Sequence, residues 1–447
     1  MNIKNNDTIV AIATANGIGS ISIVRLSGDD ALNIALKIAK KDSLIPRYAT
    51  LSKLYDNQND LIDIALLIYF KSPNSFTGED IVEFQCHGGI AVANLILETT
   101  MHYGARIANP GEFSKRAFLN NKIDLSQAQA ISKLIEAKSE DAVKLLARQL
   151  KGELKEFVES IKKDLLFMLA YTEVTIDYAT EDLPDDIYDQ IDQKLNSIKL
   201  KLQDTLESSK RRDGLIDGFK VAIIGKPNVG KSSLLNKLLN YNRAIVSNIA
   251  GTTRDTIEES IKVGTHIIKI VDTAGIREAN DEIEKIGIEK SIDAIKEANI
   301  VIALFDSSKE FEDEDQKIVD LLSNVENKII IKTKSDLKEV IDSSKLPYDI
   351  ISLNTQKNIT PLIDKLKQIL DTNTHDNNIS LISKQQILYV ESTLQNIEQS
   401  FIPLQTGELE FFSYHINEAL ENISNITKPY EHTQMLDVMF SEFCLGK

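Results

Sequence analysis

Over the first quarter of the chain, apolar residues come in short runs separated by turns. The runs at 8–14, 20–26 and 62–70 predict strands, and the spacing at 31–40 and 91–103 predicts helices. Residues 1–118 therefore read as an α+β domain. Over residues 119–215 the period becomes helical. Leu125, Ala128, Ile131, Leu134 and Ile135 share one face, as do Leu154, Val158, Ile161 and Leu165. An acidic stretch at 177–186 breaks this pattern as a solvated loop, and Ile191, Leu195, Ile198, Leu202 and Leu206 resume it. Strand-like runs return at 219–224, 266–271, 329–331 and 350–351, within a segment spanning 216–372. The polar stretch 371–378 reads as a linker. Beyond it, 382–397, 409–423 and 435–443 carry helical spacing, so 373–447 is a second helical part. Helices before and after the 216–372 segment predict one helical domain with that segment inserted, which requires its two ends to lie close together.

At 447 residues the chain is too long for a single core. Its 42% hydrophobic and 26% charged residues are those of an ordinary globular protein. The N-terminus lacks a basic region followed by an apolar core, and no run reaches membrane-spanning length, so a soluble, cytoplasmic protein without a membrane is expected. Two cysteines, Cys86 and Cys444, fit a reducing compartment and offer no metal-site spacing. The formal charge of −16 argues against a broad, sequence-independent grip on nucleic acid. An RNA substrate would have to meet a local basic patch or be held partly by a partner.

The chemistry begins at Gly225-Lys226-Pro227-Asn228-Val229-Gly230-Lys231-Ser232, which reads G-x-x-x-x-G-K-S. An apolar strand precedes it, and Ser233 onward has helical spacing, the context a phosphate-binding loop needs. Glycine lets the backbone curl so that successive N–H groups point at phosphate oxygens, and the helix start adds its own unpaired N–H groups. Lys231 is expected to reach the β- and γ-phosphates and Ser232 to hold Mg²⁺.

Three further stretches select the nucleotide. Asp272-Thr273-Ala274-Gly275 ends a strand, where the carboxylate can hold Mg²⁺ through water and the glycine N–H can meet a γ-phosphate. Thr333-Lys334-Ser335-Asp336 ends another, where Asp336 can accept both N–H groups of a guanine edge, which adenine lacks. Ser352-Leu353-Asn354 can offer a main-chain N–H to the guanine carbonyl. Each stretch alone is a common turn. In this order, each at a predicted strand end, they predict a GTPase domain of mostly parallel sheet with helices on both faces. Thr333 stands where the guanine motif usually has Asn, which leaves the supporting hydrogen bond at that position open.

The chain resembles the MnmE (TrmE) family of tRNA-modification GTPases over essentially its whole length. The match runs through residues 7–14, 23–28, Gly111 to Asn120, Ala250-Gly251-Thr252-Thr253-Arg254-Asp255 and the terminal Cys444-Leu445-Gly446-Lys447; the GTPase motifs would fit many relatives, and the N-terminal segments and the terminal Cys-x-Gly-Lys are the specific ones. On residue chemistry alone, 74–80, 87–89 and 110–113 read as tight turns. The resemblance implies an N-terminal domain that binds a tetrahydrofolate derivative (5-formyl- or methylene-tetrahydrofolate) and forms a homodimer. Arg25, Glu83, Lys122 and Lys447 would line that pocket; cationic groups suit a folate's carboxylates and a carboxylate suits the pterin N–H groups. It also implies an MnmG-type FAD flavoprotein in a heterotetramer, and tRNA as substrate, with an aminomethyl or carboxymethylaminomethyl group added at C5 of the wobble uridine. Relatives commonly carry Arg-His where this chain has Lys384-Gln385.

Ile276 follows the D-x-x-G stretch and cannot orient water, and no arginine finger is evident. By the resemblance, Glu284 positions the attacking water through a second water. The resemblance also implies a K⁺ held by Asn228 and by main-chain oxygens of Ser247, Ile249 and Thr252, within a switch segment Ser247, Asn248, Ile249, Ala250, Gly251, Thr252 and Thr253 that would wrap the nucleotide. Thr253 adds the second Mg²⁺ hydroxyl. A ribosome-assembly GTPase shares every motif between 219 and 354 but does not explain Gly111 to Asn120 or the terminal Cys-Leu-Gly-Lys. A non-catalytic GTP-binding scaffold is separated by turnover. Cys444 is fourth from the end, yet Gly446 and Lys447 fit a prenylation signal poorly; a chemical role for its thiol and a packing role both stand.

Overall fold

The computed structural model describes residues 7–15, 17–177, 187–212, 214–241, 260–271, 294–354, 358–372, 379–428, 440, 443 and 446. The chain forms two compact units: residues 1–132, 149–167 and 420–447 make one, and residues 133–148 and 168–419 the other. Among the described residues no helix is long and apolar enough to cross a membrane.

The first unit begins with β1 (Ile9–Ile12), β2 (Ile21–Ser27), α1 (Ala31–Ala39), β3 (Thr50–Tyr55), β4 (Leu61–Phe70), β5 (Ile81–His87), α2 (Ile90–His102), β6 (Arg106–Ile107) and α3 (Glu112–Leu119). The sheet order is β3-β4-β5-β2-β1-β6. All pairings are antiparallel except that of β1 with β6. Strand alternation decides its two faces. Val82, Phe84 and Cys86 of β5 point into a core shared with Ile34 and Ile38 of α1 and Ala93 and Ile96 of α2. Glu83 and Gln85 fall on the opposite face. Burying Phe84 contributes about 1.5–3 kcal/mol, and truncating it to alanine would cost about 3–5 kcal/mol.

The helical stretches follow: α4 (Leu125–Glu136), α5 (Glu140–Lys151), α6 (Glu153–Asp177), α7 (Ile187–Arg211) and the single turn α8 (Gly214–Asp217). The predicted faces of α6 and α7 are buried, whereas on the predicted α4 face Leu125 and Ala128 are buried, Ile131 and Leu134 are half-buried and Ile135 is exposed. Leu154, Val158, Ile161 and Leu165 are fully buried in α6, and Leu195, Ile198 and Leu202 in α7. Gly152, at φ 100°, separates α5 from α6 in a conformation that suits glycine. The acidic stretch 178–186 lies outside the described residues.

The second sheet is built from β7 (Phe219–Gly225), α9 (Lys231–Tyr241), β8 (Ser260–Val263), β9 (His266–Val271), β10 (Ile300–Asp306), α10 (Asp313–Leu321), β11 (Lys328–Thr333), β12 (Ile350–Ser352) and α11 (Thr360–Thr372). Its order is β12-β11-β10-β7-β9-β8, parallel except for β8. β10 is buried at all seven positions, as expected of a central parallel strand covered on both faces. Chain order runs from β7 outward to β8 and β9, then returns to β10 on the other side of β7. Such a reversal leaves a crevice at the carboxyl ends of the strands, where ligands bind in open α/β sheets. The β8–β9 turn is tied to its surroundings by Thr265, which donates to Asp141 of α5 at 2.6 Å, and by His266 Nε2, 3.0 Å from Asp371 of α11.

After the sheet come α12 (Lys384–Thr406) and α13 (Leu409–Ser424). Ser383 caps α12 by accepting the Gln386 N–H, and Gly407 ends it at φ 77°. α12 packs against α7, so the helix before this sheet meets the helix after it. Lys199–Glu398 at 3.0 Å and Lys210–Glu391 at 3.9 Å decorate that contact. Both pairs are partly exposed and add little; the buried apolar faces hold it. The stretch expected to form a helix at 435–443 lies outside the described residues except Phe440 and Phe443.

Candidate nucleotide site

The carboxyl end of β7 delivers the phosphate loop. Gly225 takes φ 151°, and a Cβ there would stand 2.8 Å from the Leu304 carbonyl and 2.9 Å from a Val229 methyl, so the neighbouring strand admits only glycine. Asn228 follows at φ 60° and Gly230 at φ 109°, two left-handed turns that curl the loop before α9 starts at Lys231. Val229 is buried beneath the loop as an anchor, while Asn228 is exposed on its crest. The exposed Ser232 and Ser233 open α9, where helix N–H groups and the dipole favour an anion.

Lys231 folds back over this loop. Its ammonium donates to the Gly225 carbonyl at 2.5 Å and the Lys226 carbonyl at 3.0 Å. Burial pushes its pKa below the ordinary lysine value. A desolvated ammonium at the mouth of an N–H-lined loop can bind phosphate oxygens strongly. Lys226 points the other way, donating to Glu312 at 2.7 Å and Asp315 at 2.6 Å at the start of α10. The motif pattern treats that position as arbitrary, yet here it pins the loop to a helix.

The guanine side is built on β11. Thr333 ends this strand opposite Asp306 of β10. Its hydroxyl donates to the Val229 carbonyl at 2.7 Å and lies 3.2 Å from the Phe305 carbonyl. The supporting hydrogen bond left open by the sequence is thus made by threonine, directly onto the phosphate loop. Lys334 takes φ 55°, and its ammonium donates to Asp306 at 2.6 Å. Ser307 closes the corner: its N–H donates to the Thr333 carbonyl and its hydroxyl to the Lys334 carbonyl, each at 3.1 Å. Asp336 is exposed beyond this corner. The Leu353 N–H donates to the Lys332 carbonyl at 2.8 Å, which brings residues 352–354 alongside the same strand end.

Three of the four motif stretches therefore meet along one edge of the sheet. Asp306, Ser307 and Lys226 are the residues that motif reading missed. An apolar run at 300–305 ending in aspartate was the available signal for Asp306, the same kind of signal that marked Asp272. Residues 247–253 and 272–275, Glu284, Cys444 and Lys447 lie outside the described residues. Among the described residues no cluster of His, Cys, Asp and Glu could hold a metal by itself. A Mg²⁺ beside phosphates needs few protein oxygens, because it keeps waters and takes phosphate oxygens. The exposed Ser232 hydroxyl and Asn228 amide are hard oxygen donors that fit Mg²⁺ and K⁺ respectively.

In the first unit, Arg25 and Glu83 face each other in the β2–β5 register and are bonded to one another, at 2.8 Å. The Arg25 guanidinium also lies 5.8 Å from the centre of the Phe113 ring. Lys122 is exposed, and its stem runs past Gly78, where an added Cβ would stand 3.3 Å from it. The segments that read as tight turns are joined by charge. Arg116 is 4% exposed and bonds Asp7, Glu79 and Glu112, while Arg106 bonds Asp7 and Glu112. Glu79 in turn accepts from Ser27 at 2.8 Å. Burial alone would push the Glu112 carboxyl up, but Arg106, the Asn109 N–H and Arg116 outweigh it and hold the pKa below its ordinary 4.5. Lys384 opens α12, and Gln385 donates to the Tyr389 hydroxyl at 3.1 Å, so this departing pair begins a regular helix.

Residues 8–122 match the family model described as GTP-binding protein TrmE N-terminus, and residues 125–444 match the MnmE helical domain. The protein named tRNA modification GTPase MnmE from Aliarcobacter butzleri is 67% identical over 444 residues, 99% of each chain. The protein of the same name from Sulfurimonas denitrificans is 59% identical over 446 residues, 99% of this chain and 100% of the relative. Among solved structures, the G domain of the T. maritima FeoB iron transporter is 22% identical, covering 35% of this chain and 98% of its own, with a TM-score of 0.25. That likeness is too slight to carry weight. The two models together and the end-to-end likeness of the relatives are decisive: the chain belongs to the MnmE family of tRNA modification GTPases.

Proposed function

We propose that this chain binds and hydrolyses GTP and couples that hydrolysis to tRNA modification. The observation that carries the reading is the hydrogen bond from Thr333 to Val229, which links the base-recognition strand to the phosphate loop. Lys231 and the loop N–H groups would bind the phosphates, and Ser233 would extend the N–H array. Asp336 would accept the guanine N–H pair, with Lys334 beside it and the main chain of 352–354 at the guanine carbonyl. Mg²⁺ would be held by Ser232 and Thr253, and K⁺ by Asn228 with oxygens of Ser247, Ile249 and Thr252. Bound there, these cations would supply positive charge beside the phosphates. Asp272, Thr273, Ala274 and Gly275 would face the γ-phosphate, residues 247–253 would cover the nucleotide, and Glu284 would orient water.

The modification reading rests on family membership. In the cytoplasm the chain would act as a homodimer with an MnmG-type flavoprotein, adding an aminomethyl-type group at C5 of the wobble uridine. Arg25, Glu83, Lys122 and Lys447 would hold a tetrahydrofolate derivative. The Arg25–Glu83 pair supports this, because a pre-formed ion pair can offer a cation to carboxylates and a carboxylate to pterin N–H groups. Mass spectrometry of tRNA nucleosides from a strain lacking the protein tests it. Loss of the modified wobble uridine is expected, with rescue by the intact chain and not by Lys231→Ala. An unchanged nucleoside profile in the deletion strain would refute the reading.

A further inference from the structure

Lys334 occupies a costly position. It is a lysine in left-handed backbone at the end of β11, two residues before Asp336. Cβ crowding disfavours that conformation, and it persists only where surrounding bonds over-determine it. Here they do. The Lys334 carbonyl accepts from the Ser307 hydroxyl at 3.1 Å and from the Leu337 N–H at 3.0 Å. At the other end of the side chain, the ammonium meets Asp306 at 2.6 Å, and the Asp306 side chain is only 5% exposed. The second Asp306 oxygen is already taken, accepting the Ser308 N–H at 3.0 Å and the Ser308 hydroxyl at 2.7 Å. A buried carboxylate is a poor choice for stability alone, since an apolar replacement usually does as well or better. Its place at a strand end beside the base-recognition loop points to a positional role instead.

We propose that Asp306 is a positioning residue of the guanine subsite: it fixes the Lys334 side chain in one direction before any nucleotide arrives. The inference rests on the GTP-site reading and extends it to a residue outside the motifs. A free lysine stem has many rotamers and must lose them when a base packs beside it. Anchored at both ends, Lys334 presents a set wall next to Asp336, so little ordering remains on binding. Charge on Asp306 also stays engaged by Lys334 and Ser308, which leaves Asp336 as the carboxylate open to a base edge.

A double-mutant cycle on the full chain tests this, using mant-GDP binding and dissociation rates with Asp306→Asn, Lys334→Met and the pair together. Asparagine can still accept from Ser308, so the strand end keeps its turn. Lys334→Met keeps the stem and removes the charge at a partly exposed position. Asp306→Asn is expected to weaken mant-GDP binding about tenfold, mainly through faster release. The double variant should bind within about twofold of Lys334→Met alone, because the two act through one contact. Asp306→Asn binding like wild type would overturn the proposal. So would an Asp306→Asn loss that persists in full on the Lys334→Met background, since that is the behaviour of a merely structural residue. A wild-type chain that bound mant-GDP no better than mant-ADP would overturn the GTP-site reading itself, a result visible before any variant is compared.

Discussion

The Thr333 hydroxyl donates to the Val229 carbonyl at 2.7 Å across 104 residues of sequence. Thr333 is fully buried and Val229 nearly so. The bond ties the phosphate loop to the end of β11. Thr333→Val preserves shape and removes the hydroxyl, leaving a buried carbonyl short of a partner at a cost of about 1–3 kcal/mol. GDP binding is expected to weaken about tenfold in parallel. Titration with mant-GDP checks this; affinity unchanged in Thr333→Val would mean that the loop is held by other contacts.

The proposed potassium site is testable at the loop crest. Asn228 is exposed at φ 60°, on the loop that ends at Lys231. Asn228→Gly keeps the left-handed backbone and removes only the amide. GTP turnover at equal ionic strength should be faster in potassium than in sodium for the wild type. The glycine variant should lose that difference while still binding nucleotide. Equal rates in both salts for the wild type would contradict the ion assignment.

The charge network around Arg116 sets an acid limit for the first unit. Folded-state pKa values of Asp7 and Glu112 lie below their ordinary values; burial opposes the shift, and Arg106 and Arg116 outweigh it. For a carboxyl with a lowered folded value, stability is fully present above the unfolded pKa and is lost as pH falls through the folded one. Hydrogen-exchange protection of β1 and α3 should therefore fall away below about pH 4.5. Glu112→Gln should lower protection at neutral pH by about 2 kcal/mol and flatten the acid dependence. An unaltered pH profile in that variant would show that other groups control it.

Much of the second sheet was legible because its signals are local. The run at 219–224 became β7, 266–271 became β9 with the same bounds, and Gly225 and Gly230 stand where the turn demands them. β3 and β5 were not read from the sequence. In β3 the buried side includes Ser52, and the exposed side carries Leu51, so its polarity is inverted at those positions. α3 was hidden for a similar reason: Glu112, Ser114 and Arg116 are polar yet buried. Arg116 satisfies its charge with Asp7, 109 residues away, and a one-dimensional pattern carries no trace of such a partner. The corner at Asp306 and Ser307 escaped because it belongs to no motif, although both residues border one in space.

Gly446 sits against β1. Gly446 is buried at φ 90°, and a Cβ there would meet the Ile12 carbonyl of β1 at 2.5 Å. Phe440 packs with Leu125, Ala128, Phe118 and Phe443. Gly446→Ala should unseat the tail without touching the nucleotide loop. Wobble-uridine modification is expected to fail while GTP turnover stays near wild type. Loss of both activities together would point to a folding role for the tail.

We infer that the edge formed by residues 225–233 and 333–336 binds and hydrolyses GTP. Steady-state turnover of GTP and of ATP, in potassium and magnesium, tests it most directly, with Lys231→Ala and Asp336→Asn beside the wild type. The wild type should hydrolyse GTP and leave ATP untouched, Lys231→Ala should hydrolyse neither, and Asp336→Asn should shift its preference to xanthosine triphosphate. Comparable hydrolysis of ATP and GTP by the wild type, or undiminished GTP turnover in Lys231→Ala, would contradict the claim.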